Sequence, residues 1–135
     1  MKHAFNTKVF YSDTDAYGVV WHGNYLRWLE MGRTYICEQA DLKLSELEKQ
    51  DIVLPIADLN IKYKNSAKLD DELTVTTEII EKGRFYITFY QTIIDKKSEK
   101  TYIEATIKVV AIHKDGTLYR SLPEQVERIC SAKAG

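Results

Sequence analysis

One long helical stripe must cover the apolar side of almost everything else in this 135-residue chain. Residues 24–40 carry Tyr25, Trp28, Leu29, Gly32, Tyr35, Ile36 and Ala40 at spacings of three and four. Arg27, Glu30, Arg33 or Thr34, and Glu38 occupy the more polar side, as expected of a helix with one buried face. Asn24 is placed to act as N-cap, its side chain accepting from a first-turn amide. Gly32 inside this helix costs about 1 kcal/mol against Ala, and close approach of the helix to a sheet would explain it. Residues 44–50 predict a short second helix with Ser45 near its start. Pro123 opens a short third helix reaching about Ser131.

The rest of the chain alternates with a period of two. Residues 5–11 put Phe5, Thr7, Val9 and Tyr11 on one face and end in the polar cluster Ser12-Asp13-Thr14-Asp15, a turn signal. Residues 52–64 align Val53, Ala57, Leu59, Ile61 and Tyr63; residues 72–81 align Leu73, Val75 and Ile79. Residues 84–94 align Phe85, Ile87, Phe89 and Ile93; residues 101–112 align Ile103, Ala105, Ile107, Val109 and Ala111. Short polar links at 81–83 and 95–100 predict antiparallel hairpins. Alternation of this kind means one apolar and one semi-polar sheet face. With one long helix to cover the apolar face, the expected class is α+β: a curved antiparallel sheet of about five strands wrapped around the helix. No repeat, low-complexity stretch or linker interrupts this order, so residues 1–135 are expected to form one domain.

Composition narrows the functional classes. Hydrophobic residues make up 44% and charged residues 29%, which argues against dominant disorder. A formal net charge of −1 argues against a nucleic-acid binder that neutralises many phosphates. No secretory h-region follows Met1, and no apolar run approaches the ~20 residues that span a bilayer; a cytoplasmic location is expected. Cys37 and Cys130 form no CxxC pair and read as reduced thiols. His3, His22 and His113 show no HExxH spacing, and no nucleotide-binding glycine loop is present. Neither a metal nor a cofactor is expected.

The stretch with most chemistry runs from Tyr11 to Tyr25: two acids, two glycines, Trp21 and His22, just ahead of the long helix. A helix N-terminus offers free amides and about half a positive charge. Amides from Trp21 to Asn24 could hold the oxyanion of a tetrahedral intermediate, one such donor being worth roughly 3–4 kcal/mol. Gly18 and Gly23 let backbone approach a substrate, and a nearby carboxylate could attack a carbonyl or activate water. From the residues alone a second reading stands beside this one. Asp13 and Asp15 would then be turn and capping residues, and His22 an ordinary loop histidine.

Asp-Thr-Asp-Ala-x-Gly-Val-Val-x-His-x-Asn-Tyr, running from Asp13 to Tyr25, resembles the signature of the 4-hydroxybenzoyl-CoA thioesterase family. It is closest to the branch of bacterial acyl-CoA thioesterases associated with the Tol–Pal genes. Leu29-Glu30-Met31-Gly32-Arg33 resembles the helix segment that follows there. The resemblance implies the hot-dog fold and hydrolysis of an acyl-CoA, possible exchange of CoA for an acyl-carrier protein included. It makes Asp15 the catalytic carboxylate, as nucleophile or general base, and the His22 amide the oxyanion donor, with the His22 side chain available to orient groups. Glu30 would face the site across a subunit boundary. Tyr17, Gly18, Trp21, Gly23 and Asn24 would line the substrate, and Asp13 would support. Tyr17 and Trp21 are bulky at variable positions, which leaves the acyl group open.

CoA phosphates are usually met by Lys or Arg. The candidates are Arg84, which best matches the family's basic hairpin position, with Lys82, Lys62, Lys64 and Lys68. Proteins of this kind pair edge to edge, so a homodimer or homotetramer is expected, consistent with exposed sheet edges. Tyr86, Tyr90 and Tyr102 on the semi-polar face are candidates for a tetramer contact, although tyrosine also simply suits strands. Two rivals remain. One is an acyl-thioester hydratase or dehydratase using an Asp15–His22 pair; the other is an acyl-CoA or acyl-carrier-protein binding module that releases no thiol.

Overall fold

The computed structural model describes Lys2–Ser131. Strand β1 (Lys2–Lys8) is followed by a single 3-10 turn (Tyr11–Asp13), helix α1 (Asn24–Gln39) and helix α2 (Leu44–Lys49). Four strands follow, β2 (Ile56–Tyr63), β3 (Glu72–Lys82), β4 (Tyr86–Asp95) and β5 (Thr101–Val110), and then helix α3 (Glu124–Ser131). The strands form a five-stranded sheet in the order β1-β3-β4-β5-β2, every pair antiparallel. Register shifts at Ile56/Asp58, Ile79/Glu81 and Ile93/Ile94 are bulge-like irregularities that bend strands, and they help the sheet curve around the helix.

Helix α1 lies on β1, β3 and β4. Leu29 and Ile36 on its inner face are fully buried, as are Leu73, Val75, Ile87, Ile93, Ile103 and Ile107 from the sheet. Each such side chain stabilises the fold by roughly 1.5–3 kcal/mol. Gly32 sits where the helix comes closest: an added Cβ would strike Thr77 Oγ1 and come within 2.9 Å of Gln91 Nε2. The close approach that the sequence suggested is therefore the reason for the glycine. Gln91 is fully buried. Its Nε2 donates to Leu29 O (2.9 Å) and Thr77 Oγ1 (2.7 Å), and its Oε1 accepts from Arg33 (2.9 Å). A polar clasp thus joins α1 to β3 and β4, with every buried atom of the amide occupied.

Several boundaries differ from the sequence reading, each for a local reason. The first strand ends at Lys8 rather than Tyr11, because the Asp13 carboxylate accepts the Phe10 N–H at 2.8 Å and turns the chain. Asn24 is not the N-cap. Gly23 holds that position, and Asn24 is the first residue of the helix, its Nδ2 donating to Asp13 Oδ1 at 3.0 Å. The strand expected from residue 52 begins at Ile56, and Val53 makes only an isolated bridge to Ile112. The supposed inner face of β2 is not covered: Leu59 and Tyr63 are exposed and Ile61 is half-buried. This strand is a sheet edge, remote from the strands under α1. Tyr102 does not present its ring for a further contact. It is buried, and its hydroxyl donates to Asp71 Oδ2 at 3.0 Å.

Candidate active site

The segment between the 3-10 turn and α1 folds into a small two-armed loop. Thr14 bridges Val20, Asp15 N–H donates to Val19 O (2.8 Å), and Trp21 N–H donates to Asp13 O (2.9 Å). Gly18 turns the arms at φ +79°, a conformation natural to glycine. The loop is moored twice to the segment before β3. Val20 N–H donates to Ala67 O, and the Ala67 N–H donates to the buried Tyr25 hydroxyl at 3.0 Å. Burial pushes the Tyr25 phenol up, and the Ala67 hydrogen bond opposes that shift.

The two acids of the motif have separate roles. Asp13 is 5% exposed and holds Phe10 N–H and Asn24 Nδ2, tying the end of β1 to the start of α1. Asp15 is only half-buried. Its Oδ1 accepts Tyr17 N–H at 2.8 Å, an Asx turn that orients the carboxylate. Oδ2 has no partner among the described residues.

The amides ahead of α1 also divide. Those of Trp21 and Asn24 are engaged, by Asp13 O and Trp21 O. Those of His22 and Gly23 have no acceptor among the described residues, which narrows the expected oxyanion donors from four positions to two. The Trp21 ring packs over Gly23, where an added Cβ would collide with it. The His22 ring lies beside Trp21 with centroids 5.2 Å apart, and the His22 carbonyl accepts the Tyr63 hydroxyl at 3.2 Å. Asp15 and His22 share no side-chain hydrogen bond. Asp15, the His22 and Gly23 amides that have no acceptor among the described residues, and the exposed Tyr17 and Trp21 rings thus sit on one short segment ahead of α1.

A family model described as the thioesterase superfamily matches residues 17–102. The chain belongs to this superfamily. Among relatives of this thioesterase-superfamily protein, an acyl-CoA thioesterase of Haemophilus influenzae is 36% identical over 110 residues, covering 81% of this chain and 79% of the relative. An acyl-CoA thioester hydrolase of Escherichia coli is 30% identical over 120 residues, covering 88% of each. The crystal structure of a 1,4-dihydroxy-2-naphthoyl-CoA thioesterase from Synechocystis superposes with a TM-score of 0.90 over 100% of both chains at 20% identity. The fold is the hot-dog fold of that superfamily.

The other residues singled out in the superfamily member's sequence are spread more widely. Lys68 pairs with Val19 across an isolated bridge, beside the motif loop. Lys62 and Lys64 flank Tyr63, which reaches the same loop, but Lys64 also pairs with Glu104 at 3.2 Å. Lys82 pairs with Glu127 at 3.0 Å, and Arg84 sits in the β3–β4 turn, its carbonyl accepting Leu122 N–H. Strand β3 has 11 residues, and at about 3.3 Å per residue that turn lies at the far end of the strand from the motif loop. Lys82 and Arg84 therefore do not join Asp15 within one chain. Glu30 is exposed and lies about 10 Å of helix rise beyond Gly23. It borders a cavity that also touches Arg33 and Cys37. Among the described residues no group of three His, Cys, Asp or Glu side chains is placed to hold a metal, and no helix is long and apolar enough to cross a membrane.

Sequence reasoning missed Tyr63 as a contact of the motif loop and Gln91 as a buried hub. A glutamine between Phe89 and Ile93 on an otherwise apolar strand face was the available signal for the hub. Nothing local marks Tyr63.

Proposed function

We propose that this protein hydrolyses the thioester of an acyl-CoA at Asp15, with the carbonyl oxygen held by the amides of His22 and Gly23. The observation that carries this reading is the pairing of an under-bonded carboxylate with two unengaged amides on one loop at a helix start. Matches to curated acyl-CoA thioesterases over most of their length support it. Water supplies the hydroxyl of the product acid, and the thiolate leaves as CoA, taking up the remaining proton. Asp15 either adds to the carbonyl, giving an anhydride that water opens, or draws a proton from the attacking water. Single-turnover hydrolysis in heavy-oxygen water separates the routes: label in the Asp15 carboxyl marks direct attack. The missing Asp15–His22 hydrogen bond favours hydrolysis over the proton relay of a hydratase.

The working unit in this proposal is at least a dimer in the cytoplasm. β2 is an edge with Ile56, Leu59 and Tyr63 exposed, and an uncovered apolar edge is a pairing surface. Antiparallel pairing of two β2 strands about their midpoint sets Tyr63 of one copy opposite Ile56 of the other. Because Tyr63 bonds the motif loop, each Asp15 then lies near the neighbouring copy's Glu30 cavity. The same pairing brings the distant Arg84 end of one copy towards the motif loop of the other, where its guanidinium and Lys82 can meet CoA phosphates alongside Lys62, Lys64 and Lys68. Tyr17, Gly18, Trp21, Gly23 and Asn24 frame the thioester, and an acyl-carrier protein is a possible donor in place of CoA. Thiol release from acetyl-, hexanoyl-, benzoyl- and adipoyl-CoA tests the reading; absence of release from all four at micromolar enzyme would overturn it in favour of a binding module.

A further inference from the structure

The cavity beside α1 has a volume of about 240 Å³ and is walled by Ile87, Phe89, Val109 and Ile129, with Cys37 and Arg33 from the helix. Two of the lining groups are charged, Arg33 and the exposed Glu30. Burial pushes the Cys37 thiol up to about 12, so it stays protonated and adds no charge. Arg33 supplies the cation. A guanidinium carries five N–H donors, and the sole hydrogen bond it makes to a described residue runs from one terminal nitrogen to Gln91 Oε1 at 2.9 Å. No carboxylate of the described residues lies within ion-pairing distance of it. Burial also lowers its proton affinity, against the opposing field of Glu30.

Gln91 fixes where those remaining donors lie. Its own amide is locked by Leu29 O and Thr77 Oγ1, so the clasp holds the Arg33 head rigidly at the cavity wall. A cationic head against an apolar wall is costly unless an acceptor meets it. Arg33 is half-buried, and a ligand acceptor that replaces water on it favours ligands that carry one. The volume lies below the roughly 300–1,000 Å³ of drug-sized pockets, which is room enough for a short acyl group.

We propose that this cavity receives the distal end of a short acyl group and that Arg33 selects acyl groups ending in an oxygen acceptor, a carboxylate or a hydroxyl. The inference rests on the thioesterase reading, including the β2 pairing that sets the cavity of one copy near Asp15 of the other, and goes beyond it in naming the substrate class. Gln91 is the positioning residue; Arg33 is the one that meets substrate.

The test compares hexanoyl-CoA with adipoyl-CoA and 6-hydroxyhexanoyl-CoA, which share a six-carbon chain. The wild-type protein is expected to show kcat/KM at least about tenfold higher for one or both oxygen-bearing substrates. Preference for adipoyl-CoA alone marks a carboxylate site, and preference for both marks a general acceptor site. Arg33→Met should abolish the preference while hexanoyl-CoA turnover changes less, and Arg33→Lys should restore part of it. A wild-type preference for hexanoyl-CoA, or equal loss on all three substrates in a folded Arg33→Met, overturns the proposal. If Arg33→Met does not fold, the wild-type comparison and Arg33→Lys still decide it. Binding of the three thioesters to Asp15→Asn, measured by calorimetry, separates the two readings. Selective binding without any wild-type hydrolysis keeps this inference and removes the hydrolase; hydrolysis without selectivity does the reverse.

Discussion

Asp13 and Asp15 are two residues apart and chemically identical, yet the fold gives them different work. Asp13 is buried and bonded to both ends of the loop; Asp15 keeps one carboxylate oxygen without a partner among the described residues. Asp15→Asn should therefore retain its melting temperature and lose thioester hydrolysis by roughly 10²–10⁴-fold, read as thiol release from an acyl-CoA. Turnover near wild type would remove Asp15 from the mechanism. Asp13→Ala should behave differently. It leaves the Phe10 N–H and the Asn24 amide without their acceptor, a loss of about 1–3 kcal/mol visible in urea unfolding, with activity falling as a consequence of the loosened loop. Both acids were visible in the motif, and the resemblance assigned the second one to catalysis. That the first is a buried tie depends on where Asn24 and Phe10 end up, which no local pattern states.

Helix α1 and strand β2 show what elements can and cannot announce. The three-four spacing of α1 reports most of its buried side: Tyr25, Trp28, Leu29, Gly32 and Ile36 are buried, whereas Tyr35 is exposed and Cys37, off the expected stripe, is buried. Gly32 adds a contact that can be tested. Ala is a better helix former by about 1 kcal/mol, but its Cβ would meet Thr77 and Gln91, and overpacking costs about 1–3 kcal/mol. Gly32→Ala should on balance lower the urea midpoint; an increase would mean that the helix can lift from the sheet without penalty. For β2, alternation correctly signals a strand but not what covers it. Leu59→Lys places a charge on the exposed edge, and if two copies pair there, size-exclusion chromatography should show a smaller species with reduced thioesterase activity. An unchanged elution volume would exclude this edge as the pairing surface.

At the scale of the whole molecule, the segment after β5 is tied to the end of α2 by a separate polar latch at Asp51. His113 Nδ1 lies 2.8 Å from Asp51 Oδ2, Lys114 N–H donates to Asp51 Oδ1, and the Tyr119 hydroxyl donates to Asp51 O. The Tyr119 ring stacks on His113 with centroids 3.9 Å apart. The Lys114 amide, then His113, hold the Asp51 carboxyl below its ordinary range. A depressed carboxylate contributes stability that is complete above its unfolded pKa, near 3.9, and is lost as pH falls through the lower folded value. The stability gap between wild type and Asp51→Asn should thus narrow as pH drops below about 4, and a gap that widens there would contradict the latch. Because Asp51 is exposed, solvent screening keeps this contribution small.

Residue order alone was sufficient for the element sequence, the single covering helix, the reason for Gly32 and the motif loop ahead of α1 that the proposal makes catalytic. Those features follow from periodicity, from glycine's missing Cβ and from a contiguous motif, all of which are local. Which amides at the helix start remain free, which aspartate is buried, that Tyr63 touches the motif loop and that Arg84 lies at the far end of β3 from Asp15 were settled only by folding. Several of these depend on partners distant along the chain, 11 residues for Asp13–Asn24 and 41 for Tyr63–His22, and a chain encodes such pairings through its packed core and not through neighbouring positions.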